Sequence, residues 1–312
     1  MSSETPAEKP FRIFFAMILA QALFTLMNAF VKLAAEEHSV VQIMFFRNSL
    51  ALIPVVALIL LAGRRNPEDD RYALFRTKKP MGHVGRSLTG VLAMVCYFSA
   101  LMTLPLANVT ALSFTAPLIL TVLSIPMLGE KVGPYRMSAV VVGMLSVLLV
   151  LGPSIEADRA HLTGNLLGLA AAVLSAFSLA LIRQMGRTEN HLTIVFYFTL
   201  SCTAASALAL PFFWHTPTGV NLYFLLMVGL CGSIGQILMT WSYAHAPAAY
   251  ASAFFYTSII FAGLLDWVIW NHVIDARTAT GCAIIVASGL YILHREVKKK
   301  RLPLVAEPLL QD

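Results

Sequence analysis

Charge is scarce in this chain. Only 12% of its 312 residues are Asp, Glu, Lys or Arg, against roughly 25% in an average soluble domain. A core of this length cannot hide a 58% hydrophobic composition, with mean hydropathy +0.76, from water. Lipid is the remaining solvent. Cysteine is also sparse: Cys96, Cys202, Cys231 and Cys282 all fall inside apolar runs with no C-x-x-C spacing. They read as small buried hydrophobes and exclude a disulfide framework. No phosphate-binding loop, nucleophile–base pair or metal spacing occurs, so no cofactor is expected. His83, His245 and His272 lie near different helix ends, too scattered for a ligand set. The +6 net charge sits in short segments between apolar runs, not in a basic stripe, and a nucleic-acid partner is excluded.

What the chain has is long apolar runs, each near the ~20 residues needed to span hydrocarbon. Ten are expected, at about 11–34, 40–62, 82–103, 105–128 and 134–152, then 163–185, 191–213, 220–244, 247–270 and 276–294. Runs of this length without dyad alternation are helices, not barrel strands. The first is too long for a signal-peptide core and lacks a cleavage site after it. Breakers mark the joints: Pro105, Gly133-Pro134, Gly152-Pro153 (ending the fifth helix) and Pro247.

Lys and Arg fall on alternate connections. One side carries Lys9, Arg12, Arg64, Arg65, Arg71, Arg76, Lys78, Lys79, Lys131, Arg136, Arg183 and Arg187, and the basic tail from Arg295 to Arg301. The other carries Arg159, Arg277 and Lys32. By the positive-inside rule both termini are expected in the cytoplasm. That requires an even number of spans. Ten spans divide into five and five, so the second half enters the membrane inverted. A shift of 142 places Gly90 on Gly232, Pro105 on Pro247, Ala107 on Ala249, Ala111 on Ala253 and Thr115 on Thr257. A shift near 152 places Phe46 on Phe198 and Ser49 on Ser201. The fold class expected is all-α integral membrane, in two inverted five-helix repeats. The divisions are a tail 1–10, repeats 11–152 and 163–294, and a basic tail 295–312. Inverted repeats are the signature of carriers that expose a midplane site to each side in turn.

The stretch from Leu104 through Pro105, Ala107, Asn108 and Phe114 to Leu118, followed by Leu128-Gly129-Glu130-Lys131, resembles the EamA branch of the drug/metabolite transporter superfamily. So do Met44-Phe45-Phe46-Arg47-Asn48-Ser49 and the segment Ala246 to Tyr250. The resemblance covers about 11–295. It implies a multi-pass protein of the bacterial inner membrane. Helices 1–4 and 6–9 would surround a central cavity, with 5 and 10 at the periphery. The Gly129-Glu130 pair becomes Asn271-His272 in the second half, so the chemistry of the halves differs.

Arg47 lies about seven residues, or roughly 10 Å, inside helix 2. A cation at that depth must face a cavity, find a partner or snorkel. It reads either as a substrate anchor or as a tie between helices. Asn28 and Gln236 are further polar anchors within apolar runs. Asn108 and Ser113 read as packing residues or cavity wall. The aromatics Tyr97, Phe114, Trp241, Tyr243 and Tyr256 would give the wall an apolar, π-rich character. Asp266, near the end of helix 9, is a coupling residue that takes up a proton, a partner for Arg47, or a hydrated interfacial carboxylate. Glu130 is placed at a gate on the cytoplasmic side, and Lys32 is expected to snorkel. The expected partners are the bilayer and a small organic substrate, with riboflavin, other vitamins and amino acids as candidates. A homodimer is left open. The competing readings are a channel or sensor, which needs a continuous polar stripe, and a lipid-modifying enzyme, which needs convergent His, Asp or Ser.

Overall fold

A computed structural model describes residues 8–65, 73–129, 131–157, 159–186, 188–245 and 254–300. The described residues form helices and short 3-10 turns with no strand. In chain order they are α1 (Glu8–Ala34), α2 (Val40–Arg65), α3 (Pro80–Thr103), α4 (Leu106–Ser113), α5 (Thr115–Leu128), α6 (Pro134–Ala157), α7 (Arg159–Met185), α8 (His191–Phe213), α9 (Gly219–His245), α10 (Thr257–Trp270) and α11 (Ala276–Lys300). Eight stretches are long and apolar enough to cross a membrane, with α4 and α5 together forming one of them, and α10 and α11 add two shorter apolar helices. The protein is an all-α, multi-pass membrane protein. Its exposed Phe212, Leu208 and Val268 lie on membrane-crossing or apolar helices, where lipid is the expected neighbour.

The joints follow from local chemistry. Ser39 starts α2 as a capping residue: its hydroxyl accepts the Gln42 N–H at 3.3 Å, in the S-x-x-Q pattern of a capping box. Asn190 does the same for α8 by accepting the Leu192 N–H at 2.9 Å. At the C-terminus of α5, Gly129 takes a left-handed conformation at φ 69°, which glycine adopts without a Cβ penalty. Asn271 holds the equivalent place after α10 at φ 51°, a conformation asparagine tolerates.

Two expectations change, and a third gains detail. The fourth span, which Pro117 and Pro126 could kink, divides where α4 and α5 part at Phe114 (φ −70°, ψ −7°). Pro117, three residues on, lacks the N–H that would bond the Ser113 carbonyl, which loosens the ladder at the break. Gly152-Pro153 does not end the fifth helix, since α6 runs on to Ala157; a proline removes one ladder bond and need not stop a helix near its end. Lys32 does not snorkel: its ammonium donates to the Leu104 carbonyl at 2.8 Å and lies 4.8 Å from the Trp270 ring centroid. Pro247, Ala249 and Ala253 of the repeat match lie outside the described residues.

Packing pairs the halves crosswise. The main contacts are α1 with α9, α3 with α7, and α2 with α8, while α6 and α11 pack against each other. Glycine permits the last contact, where a Cβ on Gly281 would lie 3.0 Å from the Ser146 carbonyl oxygen and 2.8 Å from Val150. Helices can approach this closely where small residues face each other.

Candidate functional site

A cavity of about 320 Å³ opens between α1, α2 and α3 of the first half and α7 and α8 of the second. Its wall is mostly apolar, from Met27, Met94, Phe98, Leu179 and Phe198, with Tyr97, Ser175 and Ser178 as hydroxyl groups. Two cations face it, Arg47 and Arg86. No carboxylate is among its lining residues.

Each arginine is held by its neighbours. Arg47 Nη1 donates to Asn48 Oδ1 at 2.7 Å. Asn48 is fully buried and is fixed in turn by donating to the Met44 carbonyl at 2.8 Å. Arg86 lies with its guanidinium carbon 3.8 Å from the Phe198 ring centroid, a stacking geometry suited to a planar cation. The Ser178 hydroxyl donates to the Arg86 carbonyl at 3.4 Å. Arg47 Nε, and Nε and Nη1 of Arg86, are buried without an acceptor.

Gly90 and Gly232, matched by the shift of 142, make room for this arrangement. A Cβ on Gly90 would overlap Arg86 Nη1 and lie 2.5 Å from the nearest atom of the Phe198 ring. A Cβ on Gly232 would meet Met27 Sδ at 2.9 Å, with Arg47 Nε 3.8 Å away.

The structure brings some of the expected site residues here and not others. Arg47 and Tyr97 line the cavity. Asn28 stands behind Tyr97, donating from Nδ2 to its hydroxyl at 2.9 Å. Asn108 is buried in α4, and Ser113 bonds back to the Thr110 carbonyl at 2.6 Å; neither is among the lining residues. Phe114 and Tyr256 pack on each other, and Gln236 is half-buried on α9. The side chains of Trp241 and Tyr243, and all of Glu130, lie outside the described residues.

Asp266 is not a partner of Arg47. It is buried at 1% exposure, and its two oxygens accept the backbone N–H groups of Leu106 at 3.0 Å and Ala107 at 2.8 Å. A carboxylate at a helix N-terminus satisfies donors that have no intrahelical partner and meets the positive end of the dipole. Lys32 and Asp266 therefore grip both sides of Pro105, one through the Leu104 carbonyl and the other through the two N–H groups after the proline.

Arg86 is missing from the expected set. A cation six residues into an apolar helix is a site candidate by the same reasoning that selects Arg47. It was legible, but masked by the basic run Arg76 to Lys79 just before it.

Hydrogen bonds tie the two halves at both ends of the bundle. At one end Gln42 Nε2 donates to the His215 carbonyl at 2.7 Å, and Gln42 Oε1 accepts the His215 N–H at 3.1 Å. Ser39 donates to the Phe213 carbonyl at 3.2 Å, and Asn221 donates to Glu37. At the other end Glu189 accepts the Lys78 N–H at 2.7 Å and the Thr77 hydroxyl at 3.2 Å, with His83 Nε2 at 3.7 Å. Thr193 and Tyr197 donate to the carbonyls of Leu74 and Phe75, each at 2.9 Å. Glu37 and Glu189 stand 152 positions apart, so the same repeat element makes the tie at each end. Among the described residues no group of three His, Cys, Asp or Glu side chains could hold a metal ion.

Comparison with known proteins agrees with this architecture. The pattern of the EamA-like transporter family matches residues 11–152 and again 162–294. The pseudopaline exporter CntI of Pseudomonas aeruginosa is 30% identical over 275 residues, 87% of this chain and 92% of that protein. A riboflavin transporter of Rhizobium johnstonii is 26% identical over 293 residues, 92% of each chain. A solved crystal structure superposes with a TM-score of 0.62 at 20% identity, covering 95% of this chain and 100% of that one; it speaks for the fold alone. With matches over both halves, the chain belongs to the EamA-like transporter family, within the drug/metabolite transporter superfamily, and is a transporter rather than an enzyme.

Proposed function

We propose that this protein is a secondary carrier that moves a small organic metabolite by alternating access, the two halves rocking about the cavity between α1–α3 and α7–α8. The observation that carries this reading is the pair of repeat-related ties, Glu37–Asn221 and Glu189–Lys78, at opposite ends of the bundle. Each joins one half to the other through a few hydrogen bonds worth about 1 kcal/mol apiece. Either set can be exchanged for water without unfolding a helix. A carrier needs two closures of similar strength that open in turn.

The orientation with both termini cytoplasmic rests on the Lys and Arg asymmetry of the connections, and the bacterial inner membrane on the family and its bacterial relatives. In that orientation the Glu37 tie closes the outer side and the Glu189 tie the inner side. Relatives bearing exporter and riboflavin names support a small organic solute and leave its direction of travel open.

The test is counterflow with purified protein in liposomes. Labelled metabolites are offered outside, with the same unlabelled compounds trapped inside. A carrier shows trans-stimulated accumulation of at least one compound, which Arg47→Ala abolishes while the protein still inserts. Flux of every permeant compound without trans-stimulation would make this protein a channel. Uptake of labelled riboflavin into cells unable to make it decides that candidate.

A further inference from the structure

We infer that the cavity binds an organic anion: a solute bearing at least one carboxylate on an apolar or aromatic body. This rests on the carrier reading and names the substrate class of the same site.

A guanidinium inside a membrane needs a carboxylate partner, a path to the surface, or a ligand. Among the described residues neither Arg47 nor Arg86 has a carboxylate partner, and both face the cavity. Buried Nε atoms of both, and Nη1 of Arg86, lack an acceptor. The acceptor found for Arg47 is a neutral amide, and the partner of Arg86 is an aromatic ring. Three described carboxylates on the helices and joints around the bundle are already committed. Asp266 holds the start of α4, Glu37 holds Asn221 and Glu189 holds Lys78. Two cations facing one 320 Å³ space therefore have no described carboxylate to balance them, and an entering anion would supply one.

The repeat supplies an independent argument. Shifting Arg47 by 152 falls on Thr199, and shifting Arg86 by 142 falls on Val228. The second half folds in the same way without either arginine. The fold does not require them; an asymmetric ligand does. Arginine also suits a carboxylate better than lysine, because its planar fork makes two parallel charge-assisted bonds. Around the cations, Met27, Met94, Phe98 and Phe198 would hold an apolar body. The volume fits a compound of amino-acid to small drug-like size. An uncharged flavin or nucleobase would leave both cations unpaired, and an ammonium ion would be repelled.

Thermal stability of the purified full-length protein in detergent tests this, with phenylsuccinate, phenylpyruvate, benzoate and glutamate as carboxylate probes. The diamide of phenylsuccinate and phenethylamine are the uncharged and cationic controls. At least one carboxylate is expected to raise the unfolding temperature by several degrees, and neither control to do so. In Arg47→Gln and Arg86→Gln the apparent affinity falls at least about tenfold, and Arg86→Lys retains part of it. Without ligand both Gln variants are expected to be as stable as wild type or more so, because an uncompensated charge has gone. A purely structural arginine would do the reverse.

Stabilisation by the controls as strong as by every carboxylate would overturn the inference. So would an unshifted response in both Gln variants, a lower unliganded stability in both, or no response to any carboxylate. Counterflow separates the two readings. Exchange of uncharged or cationic solutes but of no carboxylate removes the anion inference and keeps the carrier. Carboxylate binding without exchange of any solute keeps the anion site and removes the carrier.

Discussion

The rings of Phe114 and Tyr256 meet at 5.0 Å between centroids, inclined at 65°. They are 142 positions apart, the same separation that matches Gly90 to Gly232. Each sits in the αR region immediately before a helix, Phe114 before α5 and Tyr256 before α10. Two residues that are equivalent in the repeats and touch each other lie where the two halves meet on their common axis. Edge-to-face packing there joins the break at Phe114 to the 3-10 turn that leads into α10.

Phe114→Ala is therefore expected to lower stability by about 3 kcal/mol, as for other buried aromatics. Phe114→Leu should cost markedly less. Unfolding by denaturing detergent, followed by circular dichroism, measures both. Equal losses for the two variants would show that filled volume recovers nothing and that the ring contact itself carries the stability.

The grip on Pro105 makes Asp266 a structural residue. Asp266→Ala leaves two buried N–H groups at the start of α4 without acceptors, at about 1–3 kcal/mol each. Asp266→Asn keeps one acceptor and should lose less. Neither change touches the residues lining the cavity, so the response of uptake to a proton gradient should match wild type in the Asn variant. A gradient response abolished by Asp266→Asn at unchanged stability would restore the coupling role that its intramembrane position first suggests.

Asp275 gives a pH-dependent contribution outside the spans. Its slight burial raises the carboxyl pKa, but hydrogen bonds from Thr278 and Arg277 outweigh this and hold it below the ordinary value. The two backbone N–H groups reach Oδ1 at 3.0 and 2.9 Å, capping α11. With a depressed folded pKa, the charge-dependent part of the cap is complete above the unfolded value of about 3.9. It is lost as pH falls below that through the folded pKa. Asp275→Asn retains a cap but no titration. The gap in unfolding temperature between wild type and this variant is expected to narrow from about pH 5 to about pH 3. A constant gap would show that the charge is not linked to folding.

Hydropathy made the spans legible because every residue of a lipid-facing helix contributes to it. Arg47 was legible for the related reason that a cation stands out in an apolar run. The destinations of polar side chains were not. Asp266 lies near the end of its helix, as a coupling residue or an interfacial carboxylate would. What decides its role is the pair of free N–H groups after Pro105, which is 161 positions earlier. Asn28 was picked for its polarity, but its contact with Tyr97 depends on how α1 and α3 are rotated, which no periodicity in so apolar a chain reports. The break at Phe114 was obscured because Leu106–Leu128 is one unbroken apolar stretch; only Pro117 hints at it.

The two ties predict opposite phenotypes from equivalent mutations. Glu189→Ala removes the acceptor shared by Lys78 and Thr77 and also the group facing His83. Glu37→Ala removes the partner of Asn221, but Gln42–His215 remains. Losing about two hydrogen bonds is worth about 2 kcal/mol, which shifts a two-state equilibrium by about thirtyfold. Spin labels placed across each end, on exposed positions away from the cavity, report the opening by pulsed distance measurements. Glu189→Ala should lengthen distances at the α7–α8 end and leave the α1–α2 end closed. Glu37→Ala should do the opposite, by a smaller amount because one hydrogen bond is lost there and two at Glu189. A Glu37→Ala/Glu189→Ala double variant should return toward the wild-type balance between the two openings, since each loss favours a different side. Opening at both ends in either single variant would mean that the ties hold the bundle together and do not alternate.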